Sequence, residues 1–539
     1  MDIKHAKEHD MPLVHEEKPE HVKQVEMLAH DSEVGRRASL AQYEVTARQH
    51  KIQYWGKGYI SLYLSCLLIY FNSTMKGYDG SLMASLNVLP EYQDYFNLGG
   101  AASATSIVFA VFQIGQIAAS FFFWPMDIFG RKMILFVCSL MVMVSVIIQG
   151  TAKDISVFIG ARFLGAFFST IASVASVVYL VEVAPPLHRG AVAGTFNTLY
   201  YCGALLASFS SYGASIHHGG TEAAWKIPVY LQLICPLIVA AFVFLVPESP
   251  RWLIMKGRRE EARDIIVKYH ANGDASHPAV DVELHEIEGS IISDHEEGTQ
   301  PWVIALDFRK LFTTRSRRYR TFLAGFMGWA GEFSGANIAS YYLPVMARKV
   351  GVTDTTTLLL LTSMYFVVCW IFAIAGANLH DRFGRRKLLG ISMFCLSIIF
   401  AVMAAMTATY EKTGSKASSY TMLTFIFLFG IVFSFGWTPM QPVYPAEVLE
   451  NQMRARGIAF FGFNAGLAGF INTIAGQVAL DNISYNFYTF YAILDFLLFI
   501  VIYLFFVETK KRTMEELESV FAAKNPRKAS ETMTVALQT

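Results

Sequence analysis

The chain has 539 residues, 54% of them hydrophobic and 14% aromatic, and only 16% are charged, where a soluble chain averages about 25%. The formal net charge is +1, the mean hydropathy is +0.38, and the charges gather between long apolar runs. This pattern points away from nucleic-acid binding and from a soluble multidomain architecture, and toward a chain that crosses a membrane many times.

Residues 1–55 are polar and charged and hold no apolar signal-peptide core, so they read as a disordered tail and the first span is expected to act as the membrane signal. A helix needs about 20 apolar residues to cross the hydrocarbon layer. Twelve such runs follow, at 57–78, 102–124, 133–150, 155–182, 190–213, 227–246, 321–347, 357–379, 388–408, 420–445, 457–479 and 486–507. The runs at 190–213 and 457–479 are rich in Gly, Ala, Ser and Asn and suit the inside of a bundle; the run at 486–507 suits contact with lipid. The six cysteines all lie in apolar runs without metal-ligand spacing and read as small buried hydrophobes.

Between the sixth and seventh runs lies a polar segment, 247–319, in which RREEARDIIVKYH has the spacing of an amphipathic helix. The chain therefore divides into a bundle at 56–246, a helical loop at 247–319, a second bundle at 320–508 and a tail at 509–539, which also reads as disordered. Lys and Arg concentrate in the tails, the central loop and the even-numbered connections, which places those segments in the cytosol. Arg348 and Lys349, after the seventh run, depart from that rule.

The halves echo each other, as in transporters built from repeats. Asp127 to Lys132 (DIFGRK) after run two matches Asp381 to Lys387 (DRFGRRK) after run eight. Glu182 and Arg189 after run four match Glu447 and Arg456 after run ten, and Glu248 after run six matches Glu508 after run twelve. These motifs, with GYDGSLM at 77–83, PESPRWL at 247–253, SGANIASYYLP at 334–344 and TPMQPVYPAEVL at 438–449, resemble the sugar porters of the major facilitator superfamily. GYDGSLM and TPMQPVYPAEVL are most similar to the fungal lactose-permease and cellodextrin-transporter branch.

The resemblance implies an all-α membrane protein, twelve transmembrane helices in two pseudo-symmetric six-helix bundles, acting as a secondary active carrier and not as an enzyme. It implies no cofactor, no metal and no catalytic residue, and its partners would be a sugar, a proton and the lipid bilayer, with a monomer expected. Asp79 matches the carboxylate that proton-coupled members carry at the end of span one, and Arg162 the arginine that modulates it. Asp127, Arg131, Glu182, Arg189, Glu248, Asp381, Arg385, Glu447, Arg456 and Glu508 match the cytosolic ion-pair network that latches the halves. Ile128 and Lys132 replace arginines often found in the first motif. Asn337, Tyr341 and Tyr342 match the sugar-binding motif of span seven, and Asn197, Asn464 and Gln441 are further candidate contacts.

Charges inside spans are expensive and mark function. Lys76 lies one helical turn before Asp79, and Glu332 stands where the family places a sugar-binding glutamine. The two are expected to pair across the centre, because an unpaired charge there would cost several kcal/mol. An ordinary sugar site with an added ion pair, a site for a charged sugar-like solute, and a degenerate site used for sensing all remain open. A non-transporting sugar sensor on the same fold is the alternative from another class. Arg36-Arg-Ala-Ser39 and Arg527-Lys-Ala-Ser530 are similar basic strings in opposite tails, each a candidate kinase site.

Overall fold

The structure, a computed structural model, describes residues 55–98, 102–185, 188–294, 307–336, 343–344, 346–348, 351–450, 453–483, 485–510, 512 and 514–532. The first half holds α1 (Lys57–Leu86), α2 (Pro90–Tyr95), α3 (Ala102–Ala119), α4 (Pro125–Phe129), α5 (Arg131–Thr151), α6 (Ile155–Val183), α7 (Arg189–His218), α8 (Ala223–Leu231) and α9 (Ile234–Phe242). A connector of α10 (Pro250–Met255), α11 (Arg259–His270) and α12 (Pro278–Asp294) follows. The second half holds α13 (Arg315–Gly331), α14 (Thr355–Phe383), α15 (Arg385–Thr413), α16 (Lys416–Gly436), α17 (Met440–Val448), α18 (Arg454–Asn482) and α19 (Tyr485–Phe505). The chain closes with α20 (Met514–Ala522) and α21 (Pro526–Thr532).

Among the described residues, each of the twelve expected runs falls mainly on helix. Eight helical segments among the described residues are long and apolar enough to span a membrane by themselves. Helices α1, α3, α7 and α13 fall outside that set: α13 has 17 residues, α3 counts only as a shorter apolar helix over Ile107–Ala119, and polar residues such as Asn72, Lys76 and Asp79 interrupt α1. In α1, Asn72 and Asp79 are buried against protein, a situation that hydropathy does not measure.

Within the first half, α1 packs on α7 and α6, and α5 on α6; within the second, α15 packs on α19 and α16, and α13 on α18. The halves meet where α7 lies along α14 and α3 along α18. The Gly-rich spans α7 and α18 thus carry the contacts between the halves, where small residues let helices come close. Helix α19 shows lipid to one face only: Phe490, Ile493 and Leu497 are exposed, while Phe487, Tyr491, Asp495, Leu498 and Ile502 are buried.

Three expectations are corrected. Asp79 does not end span one, because α1 continues to Leu86 and buries Leu82, Met83 and Leu86 beyond it. The seventh span is not one continuous helix. Residues Glu332–Ala336 form a π-helical break in which Gly335 takes φ +84°, a conformation open to glycine without a Cβ penalty. The C-terminal tail is ordered through residue 532: Leu517, Val520 and Phe521 recur at helical spacing in α20 and are buried in the main core. The N-terminal tail, with Ser39, lies outside the described residues.

The connector bears out the amphipathic reading. Ile266, Val280, Leu284 and Ile287 form a small core of their own between α11 and α12. His270 fixes it to the first bundle, with Nδ1 2.8 Å from Glu283 Oε2 and Nε2 2.8 Å from the Val183 carbonyl.

Candidate functional site

The basic motifs build the same structure twice. In the first half the Arg131 guanidinium pairs with Glu182 (2.8 Å) and Asp127 (3.1 Å), and its Nη1 donates to the Met126 carbonyl at 3.2 Å. Ser249 Oγ donates to the other face of Glu182 at 2.6 Å, and Tyr179 OH donates to the Pro247 carbonyl. In the second half Arg385 pairs with Glu447 at 3.0 Å, and its Nη1 donates to the His380 carbonyl at 3.3 Å. Thr509 Oγ1 donates to Glu447 at 2.6 Å, and Tyr444 OH donates to the Val507 carbonyl. Charge at these helix ends is inexpensive, and the carboxylates of Glu182 and Glu447 each receive an arginine and a hydroxyl.

Glu248 and Glu508 are placed equivalently. A Cβ on Gly130 (φ +89°) would lie 2.9 Å from Glu248 Oε2, and one on Gly384 (φ +102°) 2.5 Å from Glu508 Oε2. Glu508 Oε1 also accepts the Arg385 backbone N–H at 2.9 Å. Burial raises the Glu248 carboxyl above its ordinary value, opposed by the Ser249 N–H and by Lys132 and Arg131. Asp127 is raised by burial too, against the pull of Arg131.

The Arg131 and Arg385 pairs therefore close within their own halves. Arg189 turns to the connector, with Glu283 at 3.5 Å and Glu286 at 3.6 Å. Arg456 is buried at the start of α18, and the Asp381 side chain lies outside the described set.

Contacts between the halves come from elsewhere. Asn197 Nδ2 donates to the Thr438 carbonyl at 2.6 Å. Tyr201 OH lies 3.0 Å from Thr438 Oγ1 and accepts from Ser434 Oγ at 2.8 Å. On the face opposite the basic motifs, Arg348 Nη2 donates to the Val88 carbonyl at 3.0 Å, which gives that exceptional cation a structural partner in the first half. Sequence reasoning reached Asn197 but passed over Tyr201 and Ser434, which carry no motif, and Thr438, which opens the TPMQPVYPAEVL string without being singled out.

Inside the membrane region, Arg162 of α6 holds Asp79 of α1. Its Nη1 donates to Asp79 Oδ1 at 2.5 Å and to the Asp79 carbonyl at 3.0 Å, and the guanidinium lies 5.2 Å from the Phe112 ring centre. Both side chains are almost fully buried, at 1% and 6% exposure. Asp79 Oδ2 and Arg162 Nε are buried and have no hydrogen-bond partner among the described residues.

Lys76 is half-buried on the same helix, and Glu332 of the α13 break acts on it electrostatically. The break frees the Glu332 carbonyl, which accepts Asn472 Nδ2 at 2.5 Å; Tyr491 OH donates to Asn472 in turn. Asn464 Oδ1 accepts Trp329 Nε1 at 2.9 Å, and its Nδ2 donates to the Phe460 carbonyl. Gln441 lies against Gly331, where a Cβ would meet its Nε2 at 2.6 Å. Asn337, Tyr341 and Tyr342 lie outside the described residues.

Asp495, on the buried face of α19, is a fifth charge in a span. Neither carboxyl oxygen has a hydrogen-bond partner among the described residues. The signal, a lone acid in YAILDFLLFI, was present in the sequence.

An ion-pair network repeated at the same end of two homologous bundles, joined by a helical connector, is the architecture of a multi-pass major facilitator transporter. The chain matches the model for sugar (and other) transporters over residues 65–521 and belongs to that family. It is 27% identical over 508 residues to a high-affinity glucose transporter of Kluyveromyces lactis, covering 88% of this chain and 89% of that one. It is 26% identical over 490 residues to a quinate permease of Neurospora africana, covering 87% and 90%. In fold it resembles the Escherichia coli xylose transporter XylE in a partially occluded inward-open conformation, with a TM-score of 0.69 at 20% identity, covering 83% of this chain and 98% of that one. These relatives are transporters or permeases, and this chain is a carrier-type membrane protein rather than an enzyme.

Proposed function

We propose that the protein moves a sugar in symport with protons by alternating access, with Asp79 as the proton-carrying group and Arg162 as its switch. The observation that carries this reading is the buried, single-nitrogen contact between the two side chains. An acid held by one nitrogen keeps its other oxygen, Oδ2, without a bond, and that oxygen is where a proton would add. Protonation would remove the charge that holds Arg162, and the freed guanidinium would let α1 and α6 shift as the halves rock.

The relatives support the sugar class, and one solved neighbour is described as a proton:xylose symporter bound to 6-bromo-6-deoxy-D-glucose. The Lys and Arg distribution supports a multi-pass carrier with both tails in the cytosol. Asn197, Asn464, Gln441, Lys76 and Glu332, with Asn337, Tyr341 and Tyr342, are the proposed substrate contacts.

Uptake of labelled sugars into cells lacking their own carriers, with and without a protonophore, tests the proposal. Accumulation should collapse with the protonophore and in Asp79→Asn, while exchange of internal for external sugar persists in the variant. Binding without uptake would favour the sensor instead, and uptake indifferent to the protonophore would remove the symport.

A second reading is favoured by one observation, the cation at Lys76 facing the centre. A polyhydroxy carboxylate such as quinate, the solute named for one relative, would offer Lys76 an anion. Uptake of labelled quinate against glucose, in the wild type and in Lys76→Asn, separates the two. Loss of quinate uptake alone supports the charged solute, and equal loss of both leaves the neutral sugar.

A further inference from the structure

The C-terminal helix ends on the latch of the second half. Its seven residues dock through Ser530, which is only 4% exposed. Ser530 Oγ accepts the Glu508 backbone N–H at 3.2 Å and donates to the Arg527 carbonyl at 2.6 Å. Arg512 Nη2 donates to the Ser530 carbonyl at 2.7 Å, Glu531 pairs with Arg386, and the Arg527 guanidinium lies 4.7 Å from the Tyr503 ring centre. Glu508 itself supports the Arg385 N–H and thereby the start of α15.

We propose that Ser530 is a phosphorylation site for a basophilic serine kinase, and that its modification releases α21 from Glu508. The recognition string, Arg527-Lys528-Ala529-Ser530, lies on the same helix that the docking buries. A seven-residue helix is not stable alone in water, and this one is held by a handful of polar contacts, so it samples an undocked state that a kinase can capture. In that state the hydroxyl oxygen attacks the γ-phosphorus of Mg-ATP, the bond to the bridging β,γ-oxygen breaks, ADP leaves and the hydroxyl proton is lost to the kinase base. The phosphoserine carries about −1.5 to −2 charges and three acceptor oxygens. It cannot return to a site where one oxygen, already doubly bonded to its neighbours by hydrogen, sits beside Glu508. The surrounding arginines are already engaged: Arg512 on the Ser530 carbonyl, Arg386 by Glu531 and Arg527 on Tyr503. The proposal rests on the reading that this tail is cytosolic.

The test uses the full-length purified protein, the catalytic subunit of protein kinase A and Mg-ATP. Mass spectrometry should find phosphate on Ser530, absent in Ser530→Ala. Trypsin cleavage after Arg527 and Lys528 should then run about fivefold or more faster than in the unmodified protein, as expected for loss of a local docking equilibrium. Arg386→Gln, which leaves the recognition string intact, should raise the rate of phosphorylation. Absence of phosphate from the wild type and from Arg386→Gln, while a peptide spanning 524–535 is modified, overturns the proposal. So does phosphate on Ser530 with unchanged protection from trypsin. Recovery of the phosphopeptide from intact cells reports the sidedness separately, so a failure of that arm alone counts against the cytosolic tail and not against the switch.

Discussion

Arg162 meets Asp79 through a single nitrogen, which bonds both the carboxylate and the backbone carbonyl of the same residue. Neutralising the carboxylate therefore leaves Arg162 only the weaker contact with a neutral carbonyl. Removing one member of a buried pair strands the other and costs about 3–5 kcal/mol. Arg162→Met should therefore lower the melting temperature measured in detergent more than the double variant Asp79→Asn/Arg162→Met, which strands no charge. Equal losses in the two would mean that the pair is not a coupled unit.

Gly130 and Gly384 sit at equivalent turns with left-handed backbone and no room for a Cβ, and the room is smaller at Gly384. A strained non-glycine residue at such a position costs of order 1–3 kcal/mol. Gly384→Ala should depress both thermal stability and uptake, and more so than Gly130→Ala. A ranking in the opposite order would show that the two networks do not share their energetics.

Glu248 gives a pH dependence with a definite sign. Burial raises its carboxyl, so the folded protein binds this proton more readily than the unfolded chain. This contribution to stability grows as pH falls through the raised folded value and levels off near the ordinary glutamate value. As pH falls toward the ordinary glutamate value the wild type should gain melting temperature relative to Glu248→Gln, which has no proton to bind there. Parallel curves for the two proteins would contradict the assignment.

Asp495 has both oxygens buried and without a hydrogen-bond partner, on the face of α19 that packs against α15. An unsatisfied buried polar group costs roughly 1–3 kcal/mol in mutational data. Asp495→Leu should raise the melting temperature and leave uptake intact. A variant that is stable yet fails to transport would instead give this acid a part in the cycle.

Much of the fold was legible in the sequence because its signals are local. Helix ends at the membrane surface can hold charge cheaply, so Asp127, Arg131, Glu182, Glu248 and their counterparts form short motifs that repeat along the chain. The Gly-rich runs gave away α7 and α18 for the same reason, since small residues mark where helices come close. The tail was misjudged although Leu517, Val520 and Phe521 stood at helical spacing, because three apolar residues in a charged segment are stable only on a surface the sequence does not display.

The sequence by itself determined the number and order of the spans, the twofold repetition and the identity of the charged pairs. Only the tertiary structure decided where α13 breaks, that the Arg131 and Arg385 pairs close within each half, that Tyr201 and Asn197 join the halves, and that Ser530 lies against Glu508. The division follows from range. Hydropathy and motif spacing report each segment's own contact with lipid or water, whereas a break, a clasp or a docked tail depends on what a distant segment supplies to satisfy a particular carbonyl, hydroxyl or carboxylate.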